Sequence, residues 1–218
     1  MLVYVMCALA CVIAYVLGGI PSAYLIGKAF GNVDIRTQGS GNVGSTNVAR
    51  TLGAKAGILT LVSDILKAVV AVLIGKLLIG VVGAGAIETT VPGGVYDWCA
   101  ALVYLAVILG HMFTPFLHFH GGKGIASGFG GAVVLMPWAG LSLWGPFLIF
   151  AVSTRYVSVG SIAGALSLPI FANLFYQPSM AFTVIVCIVS ALVIWGHRSN
   201  IEKLAHGQES KFSVKKSK

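Results

Sequence analysis

The sequence predicts an all-α integral membrane protein of about seven transmembrane helices, with the N-terminus outside and the C-terminus cytoplasmic. Three observations carry that prediction. First, 57% of the 218 residues are apolar and only 9% are charged, with a mean hydropathy of +0.94. A soluble domain is about 45–50% apolar and about 25% charged, so these few charges cannot cover a water-facing surface. Disorder needs low hydrophobicity and high net charge, the opposite composition. Second, the apolar residues gather into runs close to the ~20 residues that cross a bilayer. Third, Lys and Arg outnumber Asp and Glu by 14 to 6, for a net charge of +8. Seven spans use roughly 140 residues at ~20 each. Residues 1–218 therefore read as a single domain, with a basic cytoplasmic tail from about 205.

Taken in order, the first apolar run covers 1–27, and a polar, glycine-rich stretch follows at 28–57. A second run covers 58–82. The loop at 83–97 carries Glu88 and Asp97 and no basic residue. A third run at 98–116 ends in the polar cluster His118-Phe119-His120-Gly121-Gly122-Lys123-Gly124. Residues 125–154 are apolar but broken near Pro137 and Pro146, a stretch long for one span and short for two. The last runs are 157–175 and 180–195, and 197–218 is polar and basic.

Parity decides the ambiguous stretch. Two short spans at 125–154 put the loop at 28–57, the cluster at 118–124, Arg155 and the tail on one face. That face then holds 12 of the 14 basic residues, the other two being Lys67 and Lys76 within the second run. Cytoplasmic loops carry such an excess of Lys and Arg. The first run has no positive segment ahead of it, which argues against a signal peptide. Cys7, Cys11, Cys99 and Cys187 lie in or beside apolar runs without metal-ligand spacing, and read as small core residues.

Three clusters carry the chemistry. The first is Gly39-Ser40-Gly41-Asn42-Val43-Gly44-Ser45-Thr46-Asn47-Val48-Ala49-Arg50. Glycines let backbone N–H groups wrap an anion, the hydroxyls and amides add neutral donors, and Arg50 adds a forked cation. A helix starting near Ser45 would turn its N-terminus toward phosphate. The spacing from Gly39 to Gly44 is that of a P-loop, but Ser45 stands where the lysine belongs, which excludes a nucleoside triphosphatase. The second cluster, Gly121-Gly122-Lys123-Gly124, offers a backbone nest with one compact cation. His111, His118 and His120 sit close in sequence, but their aromatic setting without a carboxylate argues against a metal. In the third, His197 and Asn200 share a helix face at i, i+3. Asp64 and Lys67, also i, i+3, can neutralise each other inside the second span. Ser158 and Ser161 follow Arg155 as helix caps or further phosphate donors.

These motifs form a familiar set. Gly-Ser-Gly-Asn-x-Gly-x-Thr-Asn-x-x-Arg, then Gly-His-x-x-x-x-Phe-x-x-Phe-x-Gly-Gly-Lys-Gly, then His-x-x-Asn-Ile-x-x-Leu, with Asp64-x-x-Lys67 between, resemble the acyl-phosphate:glycerol-3-phosphate acyltransferase (PlsY) family of bacterial membranes. The resemblance covers roughly residues 5–209, and the chain departs from the family pattern at Val43, Ser45, His120, Gly196 and Lys203. It implies acyl transfer from acyl-phosphate to the 1-hydroxyl of glycerol 3-phosphate, giving lysophosphatidic acid and phosphate in phospholipid synthesis. It implies a monomer in the bacterial inner membrane, with the site on the cytoplasmic face, no cofactor, no metal and no nucleic acid. The catalytic set expected is Ser40, Arg50, Lys123, His197 and Asn200, with Gly39, Gly41, Asn42, Thr46, Asn47, Gly121, Gly122, Gly124, Ser158 and Ser161 binding substrate. The competing class is a transporter for an anionic metabolite, whose path would need polar groups on both faces. A CDP-alcohol phosphotransferase would need a paired-aspartate metal motif that the chain lacks.

Overall fold

The computed structural model describes residues 1–211; the remaining tail, with Lys215, Lys216 and Lys218, lies outside the described residues. Among these the chain is helical, with no strand. α1 (Leu2–Gly19) and α2 (Ser22–Gly31) form one apolar segment broken at Ile20–Pro21. α3 (Ser45–Leu52) is short, and α4 (Ala54–Lys76) continues as a wider helical coil, Leu77–Ala84. α5 (Asp97–Met112) returns. Then come α6 (Ile125–Leu135), α7 (Pro137–Ser142), α8 (Trp144–Thr154), α9 (Val157–Phe175), α10 (Met180–Gly196) and α11 (Arg198–Ala205).

Leu2–Gly31, Ala54–Ala84, Asp97–Leu117 and Val157–Phe175 are long and apolar enough to cross a bilayer, and α10 with α11, bent by 51°, makes a fifth candidate. Residues 125–154 resolve into a descending arm, a short turn and a returning arm rather than two uniform helices. Pro137 opens α7 and so marks the break, since proline is tolerated in the first turn but not inside a helix. Each 11-residue arm is roughly 16 Å long, about half the hydrocarbon thickness.

Small residues let the backbones meet, as membrane helix packing requires. A Cβ on Gly18 would strike the Val107 carbonyl, and one on Gly110 the Tyr15 carbonyl, where α1 crosses α5. The break before Pro21 leaves carbonyls without helical partners. The Thr114 hydroxyl donates to Gly19 O at 2.6 Å, and the Lys67 ammonium to Ile20 O at 2.7 Å. Away from the loops, buried Asp97 clasps the far end: Oδ2 accepts from the Gly93 and Ser179 amides and Oδ1 from the Ser179 hydroxyl. The four cysteines are free thiols.

Gly110→Val is expected to prevent recovery of folded protein from detergent-solubilised membranes. Gly145→Ala, whose new methyl would meet nothing within 4 Å, should leave the melting temperature unchanged or slightly raised, as Ala is the better helix former.

Candidate active site

Residues of α3, α4, α5, α6, α8, α9, α10 and α11, with the loops at 32–44 and 113–124, surround an open cavity of about 1250 Å³. Fourteen of the fifteen site residues expected from sequence line it: Ser40, Gly41, Asn42, Thr46, Asn47, Arg50, Gly121, Gly122, Lys123, Gly124, Ser158, Ser161, His197 and Asn200. Gly39 does not.

Gly39 serves the loop instead. Its φ is +56° and that of Gly41 is +70°, conformations that favour glycine. A side chain at Gly39 would collide with Asn47 Oδ1. Asn47, only 1% exposed, organises the whole turn. The two N–H groups of its Nδ2 are shared among the Ile35, Gln38 and Asn42 carbonyls at 3.1, 3.0 and 3.1 Å, and its Oδ1 accepts from the Ser40 amide at 2.9 Å. These bonds use the polar atoms of Asn47 internally. The loop thus delivers the Ser40 hydroxyl, Asn42 and the first turn of α3 to the cavity, with Arg50 one turn further on.

The second loop folds back on α5. The Gly121 amide donates to Met112 O at 2.9 Å and the Gly122 amide to His111 O at 3.1 Å. Both satisfy carbonyls at the α5 C-terminus, so these two amides face α5 rather than an anion. A Cβ at Gly121 would strike the His111 carbonyl, and one at Gly122 the His111 ring and the Val43 carbonyl. The glycines therefore allow the two loops to meet over His111. They also set Lys123 into the cavity, where its ammonium contacts Asn200 Oδ1. The second loop thus adds a lysine to the Arg50 guanidinium of the first cluster.

His197 caps α11 just past the 51° bend from α10 and accepts the Asn200 backbone amide on its carbonyl at 2.8 Å, so the two residues sit one turn apart on the cavity wall. Its Nδ1 donates to the Val193 carbonyl at 2.8 Å, which leaves Nε2 as the acceptor nitrogen. Burial pushes its pKa down from 6.5 to about 4; the Lys123 charge works in the same direction, and the Val193 bond and Glu209 oppose it. Burial likewise lowers Lys123, with Lys203 and Arg50 adding to the shift and Glu209 working against it.

Glu209 is the residue that sequence reasoning missed. Its Oε1 accepts from the Asn200 amide at 2.8 Å and the Ser158 hydroxyl at 2.9 Å. Arg50 reaches the adjacent Ser210 carbonyl at 3.4 Å. A polar tail residue beyond α11 gives no periodic signal, so only the fold-back reveals it. Arg36 and Asp34 also line the mouth, but they neutralise each other at 2.6 Å.

Beneath both loops lies a buried charge cluster. Lys67 Nζ is 2.8 Å from Asp64 Oδ1, and His111 Nδ1 is 3.7 Å from the same oxygen. The Ser127 hydroxyl lies 3.1 Å from His111 Nδ1 and donates to the Asp64 carbonyl at 3.2 Å. The ion pair expected from sequence is present, with side chains only 7% and 3% exposed.

Lys67→Met should destabilise the protein by about 3–5 kcal/mol, because it strands a buried carboxylate; the Asp64→Asn/Lys67→Met double variant should recover most of that in a detergent melt. Asn47→Ala should raise amide exchange across residues 35–47 by about tenfold or more, since each unsatisfied buried group costs about 1–3 kcal/mol.

Comparison with known proteins identifies the chain. A family model described as glycerol-3-phosphate acyltransferase matches residues 8–207. The chain is 40% identical over 205 residues to a glycerol-3-phosphate acyltransferase of Clostridioides difficile, covering 94% of this chain and 95% of that one. It is 42% identical over 199 residues to one of Geotalea daltonii, covering 91% and 94%. Crystal structures of PlsY, an integral membrane glycerol 3-phosphate acyltransferase, superpose with TM-scores of 0.82 for the glycerol 3-phosphate form and 0.81 for the lysophosphatidic acid form. Their identities to this chain are 34% and 33%, and each match covers 95% of this chain and 96% of the other. With that coverage in sequence and structure alike, the chain belongs to the glycerol-3-phosphate acyltransferase family.

Proposed function

We propose that this integral membrane acyltransferase takes an acyl group from acyl-phosphate and transfers it to the 1-hydroxyl of glycerol 3-phosphate. The products are 1-acylglycerol 3-phosphate and inorganic phosphate, on the route to phospholipids. The observation that carries the reading is one cavity whose loop end is lined by cations and hydroxyls and whose inner wall on α9 and α10 is apolar. That combination suits two phosphorylated substrates, one of them with a fatty tail. A transporter would need a polar route continuing to the opposite end.

In this reading the enzyme is a monomer of seven spans, counting α6 and α8 as the arms of two short ones. Its N-terminus is outside the bacterial inner membrane, and the cavity opens to the cytosol. The gathering of Arg50, Lys123, Lys203 and Arg198 at the cavity mouth supports that orientation.

Acyl-phosphate is an activated mixed anhydride, so the protein has to position the hydroxyl and stabilise growing charge. Ser40, Arg50 and Lys123 hold phosphate oxygens, aided by the α3 N-terminus and by Ser158 and Ser161. Asn47, Gly121 and Gly122 shape the loops that present them. His197 Nε2 and Asn200 orient glycerol 3-phosphate. The hydroxyl oxygen attacks the carbonyl carbon, the carbon–oxygen bond to phosphate breaks, and phosphate leaves with the electron pair. The hydroxyl proton passes to a phosphate oxygen. With a pKa near 4, His197 is a weaker base than a phosphate dianion, whose second pKa is about 6, so His197 positions rather than abstracts.

Single Ala variants of Arg50, Lys123 and His197 should each lower acylation in membranes by about a hundredfold or more, and native rates in all three would overturn the assignment. Offered acyl-phosphate, acyl-carrier protein and acyl-CoA in parallel, the native enzyme should use only acyl-phosphate. The sign of the His197 shift makes a separate expectation. A lowered pKa keeps the folded-state imidazole neutral above about pH 4. Between pH 6.5 and 4 the unfolded chain binds the proton first, so falling pH removes stability. Within the folded enzyme His197 does not titrate between pH 5 and 8, and His197→Gln should leave the acid limb of the pH–rate profile where it was.

A further inference from the structure

The inner arm of the cavity contains features that phosphate binding does not use. On α9 the lining runs from Val157 to Leu168, roughly 16 Å along the helix axis. On that wall it changes from hydroxyls at Ser158 and Ser161 to Gly164, Ala165 and Leu168. The facing wall on α10 supplies Val189 and Val193, and the Ser190 hydroxyl between them is satisfied by the Ala165 carbonyl at 2.6 Å.

The helices α8 and α9 diverge along this arm. At Gly160 they touch, and a Cβ there would collide with the Phe147 carbonyl and Ala151. At Gly164, one turn deeper, the nearest atoms to a Cβ are Leu143 O and Phe147 Cβ, both at 3.8 Å. Across the cavity, a Cβ at Gly128 on α6 would make only ordinary contacts with Tyr104 Oη at 3.6 Å and Ile108 Cδ1 at 3.7 Å. One turn deeper the space closes, since a Cβ at Gly131 would strike the Tyr104 ring. Tyr104 is fixed by its hydroxyl bond to the Gly128 carbonyl at 2.8 Å, and Leu168 is the last α9 residue on the wall.

We propose that this arm measures the acyl chain, with Gly164 and Gly128 as the wall positions whose missing side chains admit its distal carbons and Leu168 and Tyr104 as the stop. The inference rests on the acyl-transfer reading above. Glycine at 164 and 128 removes two methyl groups from the path, so restoring either shortens the usable groove without disturbing helix packing. Truncating Leu168 lengthens it.

The test uses the full-length protein in membranes with acyl-phosphates from decanoyl to stearoyl, reading kcat/KM for each. Gly164→Ala should keep the decanoyl rate within about twofold of native and lose about tenfold on palmitoyl, the scale of one misfitted methylene in an apolar pocket. Gly128→Ala should move the same way. Leu168→Ala should raise the stearoyl-to-palmitoyl ratio. Chain-length profiles that superimpose on the native one, or fall uniformly at every length, overturn the inference. A native enzyme that rejects every acyl-phosphate but accepts acyl-carrier protein or acyl-CoA overturns the donor assignment instead. The same chain-length series on the accepted thioester then supports or overturns the groove separately.

Discussion

The Lys67–Asp64 pair is the interaction on which the site rests. Two charges nearly removed from water are expensive and persist only when geometry satisfies both. Lys67 does more than neutralise Asp64. Its ammonium also accepts the duty of capping Ile20 O at 2.7 Å, where Pro21 breaks the first span. Asp64 in turn faces His111, and the His111 carbonyl accepts from the Gly122 amide. One ion pair thereby ties the α1–α2 break, α4, α5 and the second loop into a single unit, with Ser127 adding α6.

Above that unit, rigidity and charge are divided between different residues. Asn47 and the glycines make the loops, while Ser40, Arg50 and Lys123 face the cavity. In the proposed reading such a site is preorganised, because its donors are held before substrate arrives. Glu209 completes the picture from the tail. By bridging Ser158 and Asn200 near Lys123, its carboxylate balances the basic mouth and connects the α9 start to α11. The excess of positive charge is thus moderated inside the cavity rather than left bare.

The membrane solvent explains why the remaining architecture is so plain. Helices satisfy their own backbone groups in lipid, and small residues allow the close crossing of α1 and α5. The irregular backbone of the loops at 32–44 and 113–124 lines the cavity and finds partners there. The apolar arm between α8 and α9 follows from the same economy of small residues, with Gly160 tight against α8 and Gly164 in looser contact with it.

Composition was enough to specify a helical membrane protein, because a 57% apolar chain has few other stable forms. Motif spacing was enough to name the residues that meet in the cavity, since glycines, hydroxyls and cations at fixed intervals reflect what an anion needs. The Asp64–Lys67 pair was legible because i, i+3 spacing on a helix guarantees proximity. Other features depended on contacts far apart in sequence. Only the tertiary structure turned Asn47 inward to hold its loop and pointed the Gly121 and Gly122 amides at α5. It alone bent the chain at His197 and brought Glu209 back over Ser158, 51 residues away. It also split 125–154 into three short helices, because Pro137 fixes where the chain breaks but packing of α6 on α4 and of α7 and α8 on α9 decides how the pieces lie. Local pattern reports which groups are present and how a helix repeats; the direction in which each donor points is decided by partners that sequence proximity does not reveal.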